Sequence, residues 1–186
     1  MILHPPQPAL DQNAVALFRS EMPAGAIPAG AVALAENIAG ASPFLRQLML
    51  RDPVFAGEVF AQDADELLAL QLGELGRIDP ALSQAEVMAR LRQAKKRVAL
   101  LVAVADLSGR WSMEQVTAAL TQFADATLGA AIAWLLADYA RQGKLKLADA
   151  ADAQASCGYV ALAMGKQGAG ELNYSRDIDL IVLYDA

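Results

Sequence analysis

The chain has 186 residues and a formal charge of −6, from 15 Lys and Arg against 21 Asp and Glu. That balance disfavours general nucleic-acid binding, which draws on an excess of cations facing the phosphate backbone, and points to a protein or small molecule as partner. Hydrophobic residues make up 55%, but much of this is alanine, which packs helices closely. The longest charge-free stretches, such as Ala126–Ala137, fall short of the roughly 20 residues a bilayer needs, so neither a transmembrane segment nor a membrane partner is expected.

The opening "MILHPPQPAL" lacks a basic n-region and breaks at once on prolines, so it does not read as a signal peptide, and His4 within it has no assigned role. Up to about residue 150 the pattern is helical, with apolar residues three and four apart. Residues 22–33, rich in alanine and proline, read as a loop and a helix start. Ser42-Pro43 has the form of an N-cap followed by proline at the first helical position, and Asp52-Pro53 repeats it. Ser83 with Glu86, and Ser112 with Gln115, have capping-box spacing and open two long helices that should end at Gly109 and Gly143. Five to seven helices packed as a bundle are expected. The cluster Arg90, Arg92, Lys95, Lys96 and Arg97 reads as a solvated helix face, with contact to an acidic partner as the alternative. Trp111, Trp134 and the alanine-rich stretch Ala126–Ala137 read as helix packing.

From Asp149 the text changes, and a boundary is placed between a helical domain, residues 1–155, and a second region, residues 156–186. The single cysteine, Cys157, excludes an internal disulfide, suits a reducing cytoplasm and reads as a small buried hydrophobe before a strand. "GYVALAM", Gly158–Met164, reads as a buried strand; "IDLIVLY", Ile178–Tyr184, is the best strand of the chain by β-branched content. Two strands do not make a stable sheet by themselves, so the sheet is read as started and not finished. Asp177 and Asp179, spaced D-x-D on a strand, would point to one face and could grip Mg²⁺, or Mn²⁺, together against phosphate oxygens. Alone such a pair is more often a solvated strand edge. The glycines Gly165, Gly168 and Gly170 before it shift that balance, because they let backbone approach a ligand and offer N–H groups to phosphate. Neither phosphate loop in common use fits, since Gly165-Lys166 is followed by Gln167 and the glycine spacing is not that of the dinucleotide fingerprint.

"MGKQGAGELNYSRDIDLIVLYD", Met164 to Asp185, resembles the signature of the glutamine synthetase adenylyltransferase/adenylyl-removing enzymes. Gly165, Lys166, Gly168, Glu171, Leu172, Asn173, Tyr174, Asp177, Asp179 and Leu180 match that family's pattern. The helical segments Ser42–Pro53 and Leu91–Gly109 also resemble its N-terminal region. Gln167 departs from a usual leucine, Ala169 from a second glycine, and Arg176 from the serine before the first aspartate, which leaves Ser175 as the candidate hydroxyl near the nucleotide.

The resemblance implies a mainly α chain: an N-terminal helical bundle followed by the first strands of a truncated α/β nucleotidyltransferase domain of the DNA polymerase β type. It implies that Asp177 and Asp179 are catalytic, metal-holding carboxylates and that Gly165, Lys166, Gly168, Gly170 and Ser175 bind nucleotide or phosphate. The family has two such domains. The N-terminal one removes AMP from a tyrosine of glutamine synthetase by phosphorolysis, releasing ADP; the C-terminal one attaches AMP from ATP. A helical stretch that begins at a methionine favours removal, with attachment as the alternative, and a non-catalytic helical binding or regulatory module as another. Implied partners are glutamine synthetase, ATP or ADP, phosphate and the PII signalling protein, in the cytoplasm. The family's third metal-binding carboxylate, in a D-x-R-L-R-P stretch, has no counterpart here, so the 186-residue chain is expected to be a fragment with little activity of its own.

Overall fold

The computed structural model of the protein describes residues 11–146, 157–174 and 177–184. Helices dominate: α1 (Gln12–Glu21), α2 (Val32–Ala41), α3 (Pro43–Arg51), α4 (Pro53–Ala61), α5 (Ala64–Leu75), α6 (Gln84–Leu107) and α7 (Met113–Arg141). A 3-10 turn at Ala29–Ala31 leads into α2, where the alanine- and proline-rich stretch predicts a loop and a helix start. Strands β1 (Tyr159–Ala163) and β2 (Leu180–Tyr184) follow, joined by a segment holding one helical turn, Gly165–Gly168.

Local chemistry sets most helix boundaries. Asp11 caps α1, its Oδ1 accepting the Asn13 and Ala14 N–H groups at 2.9 and 3.0 Å. Ser42 Oγ accepts Leu45 N–H at 3.2 Å and Asp52 Oδ1 accepts Phe55 N–H at 3.2 Å, each followed by proline at the first helical position. Such caps contribute about 1 kcal/mol apiece. The capping box at α6 closes in both directions: Ser83 N–H donates to Glu86 Oε2 at 2.8 Å, and Glu86 N–H to Ser83 Oγ at 3.4 Å. The Ser83 hydroxyl, which donates to Glu86 Oε2 at 2.6 Å, and then the Ser83 N–H hold the Glu86 carboxyl below its ordinary range. At the far ends, Arg110 N–H reaches back to Ala105 O at 2.9 Å and Lys144 N–H to Tyr139 O at 3.0 Å, the long bond of a Schellman closure around Gly109 and Gly143.

The chain divides into two compact units, one of residues 1–69 with Lys95–Ser112, the other of Leu70–Ala94 with 113–186. In the first, the second half of α6 is the centre. Leu100 to Ala105 are buried at every consecutive position, with Leu101, Val102, Val104 and Ala105 at 0% exposure, as expected of a helix apolar on all sides and enclosed by others. Met49, Phe55 and Val59 fill the same core. Arg97 leaves the basic cluster to pair with Asp52 at 2.9 Å, its guanidinium 4.9 Å from the Phe55 ring centroid, while Arg90, Arg92, Lys95 and Lys96 are exposed, as a solvated face requires. Arg110 donates to the carbonyls of Val59 at 2.9 Å and Gln62 at 3.1 Å, satisfying the last turn of α4. Burial pushes its guanidinium below its ordinary value, opposed by the charge of Asp63.

In the second unit α7 is the long element. By length and composition alone it could cross a membrane, and 17% of its most apolar window is buried. Polar ties bind it within the unit, among them Trp134 Nε1, which donates to Leu82 O at 3.0 Å. Both tryptophans are buried, at 6% exposure. The alanine-rich stretch around Trp134 is half-buried rather than closed off, so it is looser than close helix packing would make it.

β1 and β2 pair antiparallel, from Tyr159 opposite Tyr184 to Ala163 opposite Leu180. The expectation of a buried first strand is corrected. Positions alternate between half-buried and exposed along β1, and β2 is exposed at four of its five positions; among the described residues each strand has one neighbour, and only one face of β1 is partly covered. His4 and the boundary at residues 155–156 lie outside the described residues.

Candidate functional site

β1 delivers the chain through Met164 into the helical turn Gly165–Gly168. Two glycines make this path possible. Gly165 has φ +56°, in the left-handed region that costs other L-residues. At Gly168 an added Cβ would lie 2.4 Å from Ala163 O, so only a residue without a side chain lets the turn fold back onto the strand it has just left.

The turn spends several amides on itself. Gly168 N–H donates to Met164 O at 3.2 Å, Ala169 N–H to Gly165 O at 3.1 Å, Gly170 N–H to Gln167 O at 3.0 Å and Glu171 N–H to Lys166 O at 2.8 Å. The Gly168 and Gly170 amides, expected to be open to phosphate, are both engaged inside the turn, and these glycines shape it. Lys166, at the leading end, is exposed.

The aspartates approach from the other strand. β2 begins at Leu180, so Asp177 and Asp179 precede it and do not share a strand face. Pairing stops there because β1 ends at Ala163 and its chain swings away at Gly165; one further bond, Met164 N–H to Asp179 O at 2.9 Å, continues the ladder. That bond fixes Asp179 beside the turn. Its Oδ2 lies 3.7 Å from the place a Gly165 Cβ would take, so the carboxylate overhangs the one residue that presents no side chain to it. Asp177 and Asp179 are both exposed. Ser175 and Arg176 lie outside the described residues.

Two accessible carboxylates are hard oxygen donors of the kind Mg²⁺ or Mn²⁺ takes alongside substrate oxygens. Among the described residues no group of three His, Cys, Asp or Glu side chains comes together.

The turn is also held from below, by residues that sequence reasoning did not single out. Gln167 is 4% exposed and its Nε2 donates to Asp125 Oδ1 on α7 at 2.8 Å. Leu172 N–H donates to Thr121 Oγ1 at 3.1 Å, and that hydroxyl donates in turn to Thr117 O at 2.9 Å. The only signal in the text was Gln167 itself, an amide where the resembling signature has leucine.

Comparison with known proteins agrees with the signature. The model of a family described as glutamate-ammonia ligase adenylyltransferase matches residues 32–186. Among curated proteins, the bifunctional glutamine synthetase adenylyltransferase/adenylyl-removing enzyme of Xanthobacter autotrophicus is 46% identical over 149 residues, 80% of this chain and 15% of that protein. Its namesakes in Bradyrhizobium sp. strain BTAi1 and Bartonella henselae are 44% and 38% identical, over 80% and 77% of this chain and 15% of each of theirs. The chain thus spans about 15% of the length of the curated relatives it matches. No solved structure matches.

Proposed function

The chain belongs to the glutamate-ammonia ligase adenylyltransferase family, and from that premise we propose that it is the N-terminal, adenylyl-removing part of a bifunctional enzyme acting on glutamine synthetase. The observation that carries the reading is the meeting of Asp179 with the glycine turn: a carboxylate 3.7 Å from the empty Cβ position of Gly165, with exposed Asp177 two residues before it and exposed Lys166 next to Gly165. The hairpin and turn are read as the opening of the nucleotidyltransferase domain. Its apolar positions support this, since Val160, Leu162, Val182 and Leu183 are 42–53% exposed on a two-stranded hairpin, which by itself is marginally stable.

In the proposed reaction an oxygen of inorganic phosphate attacks the phosphorus of AMP esterified to a tyrosine. The new P–O bond gives ADP, and the tyrosyl oxygen leaves with the electron pair of the bond that breaks. Asp177 and Asp179 would hold Mg²⁺ or Mn²⁺, which when bound neutralises phosphate charge as it develops. Lys166 meets the phosphate oxygens as a point charge, and the glycine turn leaves them room beside Asp179. Ser175 is the hydroxyl we assign to the nucleotide, and PII is the regulatory partner that the resemblance implies.

The test uses the full-length protein, with phosphate and adenylylated glutamine synthetase in one arm and ATP with unmodified synthetase in the other. Asp177→Asn is expected to abolish ADP release in the first arm and leave the second near wild type. Loss of AMP attachment with removal intact would reverse the assignment, and activity in both arms unchanged by the substitution would end it.

A further inference from the structure

The turn between β1 and β2 is exposed along most of its length, and an exposed glycine-bearing loop samples many conformations unless something holds it. Two contacts do so here, one part-buried and one buried, both to α7 and one helical turn apart. Asp125 accepts from the Gln167 amide at 2.8 Å, and Thr121 accepts from the Leu172 backbone at 3.1 Å. They clasp the turn near its middle and just beyond its end, while Lys166 and Asp179 are exposed. Gln167 is oriented by this contact, since its Nε2 must face the Asp125 carboxylate; its Oε1 is buried with no partner among the described residues. Leu172 is 7% exposed, so its N–H has no ready exchange of Thr121 for water.

We propose that Thr121 and Asp125 are positioning residues for transfer of the adenylyl group to phosphate: α7 holds the glycine turn beside Asp179, and through it the place of Lys166. This deepens the functional reading above and rests on it. Where leucine replaces Gln167, the contact to Asp125 is lost and an apolar one must serve; in this chain position 125 and position 167 are therefore a matched pair.

The experiment compares Thr121→Val, Asp125→Leu, Asp125→Asn and the double change Asp125→Leu with Gln167→Leu in the full-length protein. ADP release is followed at varied phosphate, together with peptide-level hydrogen exchange over residues 165–174 and thermal melting. Thr121→Val and Asp125→Leu are expected to speed exchange in that peptide and to lower kcat/KM for phosphate roughly tenfold, a loss of the kind small misplacements cause, with KM for adenylylated synthetase and the melting temperature unchanged. Asp125→Asn keeps an acceptor for Gln167 and should stay near wild type. The double change restores a matched apolar pair and should recover most of the loss. Unchanged exchange in both single variants overturns the proposal, as does faster exchange with no loss of kcat/KM, or an equal rise in KM for the protein substrate. A wild-type protein with neither removal nor attachment activity defeats the functional reading instead, and the exchange of residues 165–174 then still decides whether α7 holds the turn.

Discussion

The second half of α6 and the β1–β2 hairpin are both short runs of Val, Leu and Ala, yet Leu101, Val102 and Val104 are wholly buried while Val160, Leu162 and Val182 are nearly half exposed. The difference is one of closure. A helix satisfies its own backbone and asks only for side-chain neighbours, which the flanking helices of the first unit supply. A strand needs partners on its edges as well as cover on its faces, and within the described residues the hairpin has a single pairing and only partial cover on one face of β1. Apolar content alone did not separate the two cases; the number of available partners did.

The sharpest way to break this comparison is to damage the enclosed run. Leu101→Ala should cost about 2–5 kcal/mol in urea unfolding of the chain, because the cavity cannot collapse against neighbours on every side. An effect below about 1 kcal/mol would mean that the run is not the centre of its unit. Next in size is Gly168→Ala, whose methyl would meet Ala163 O at 2.4 Å; displacing the turn should cost about 1–3 kcal/mol and speed exchange over 165–174, leaving the first unit's unfolding unaltered. Ser42→Ala removes the α3 cap and should cost about 1 kcal/mol, read as a lower urea midpoint at constant slope. Smallest is Val182→Thr, on the open sheet, expected within about 0.5 kcal/mol in the 186-residue chain. The same substitution in the full-length protein should cost distinctly more if further chain covers that face, and an equal cost in both would remove the inference that the sheet is completed there.

What was legible in the sequence was what is local. The caps at Ser42, Asp52 and Ser83 and the closures at Gly109 and Gly143 each depend on residues within one turn of the boundary they make, and they stand where the spacing predicts them. The signature from Gly165 to Leu180 was legible for the same reason. Contacts joining distant positions were not: Arg110 to the α4 carbonyls, Gln167 to Asp125 and Leu172 to Thr121 link residues 42 to 51 positions apart, and no short spacing announces them. The D-x-D pair shows a third case. Alternation along an extended segment predicts one face for Asp177 and Asp179, but where pairing ends depends on the path of the opposite strand, and that path turns at Gly165.

The bond from Met164 N–H to Asp179 O makes the hairpin a measuring device. The turn hangs from the last residue of one strand and the aspartate from the residue before the other, so strand register alone determines which residue overhangs Gly165. Sliding β2 by one residue would present its other face, and sliding it by two would carry Asp179 roughly 7 Å along the sheet and off the turn. Length changes inside β1 or β2 are therefore expected to be poorly tolerated for transfer.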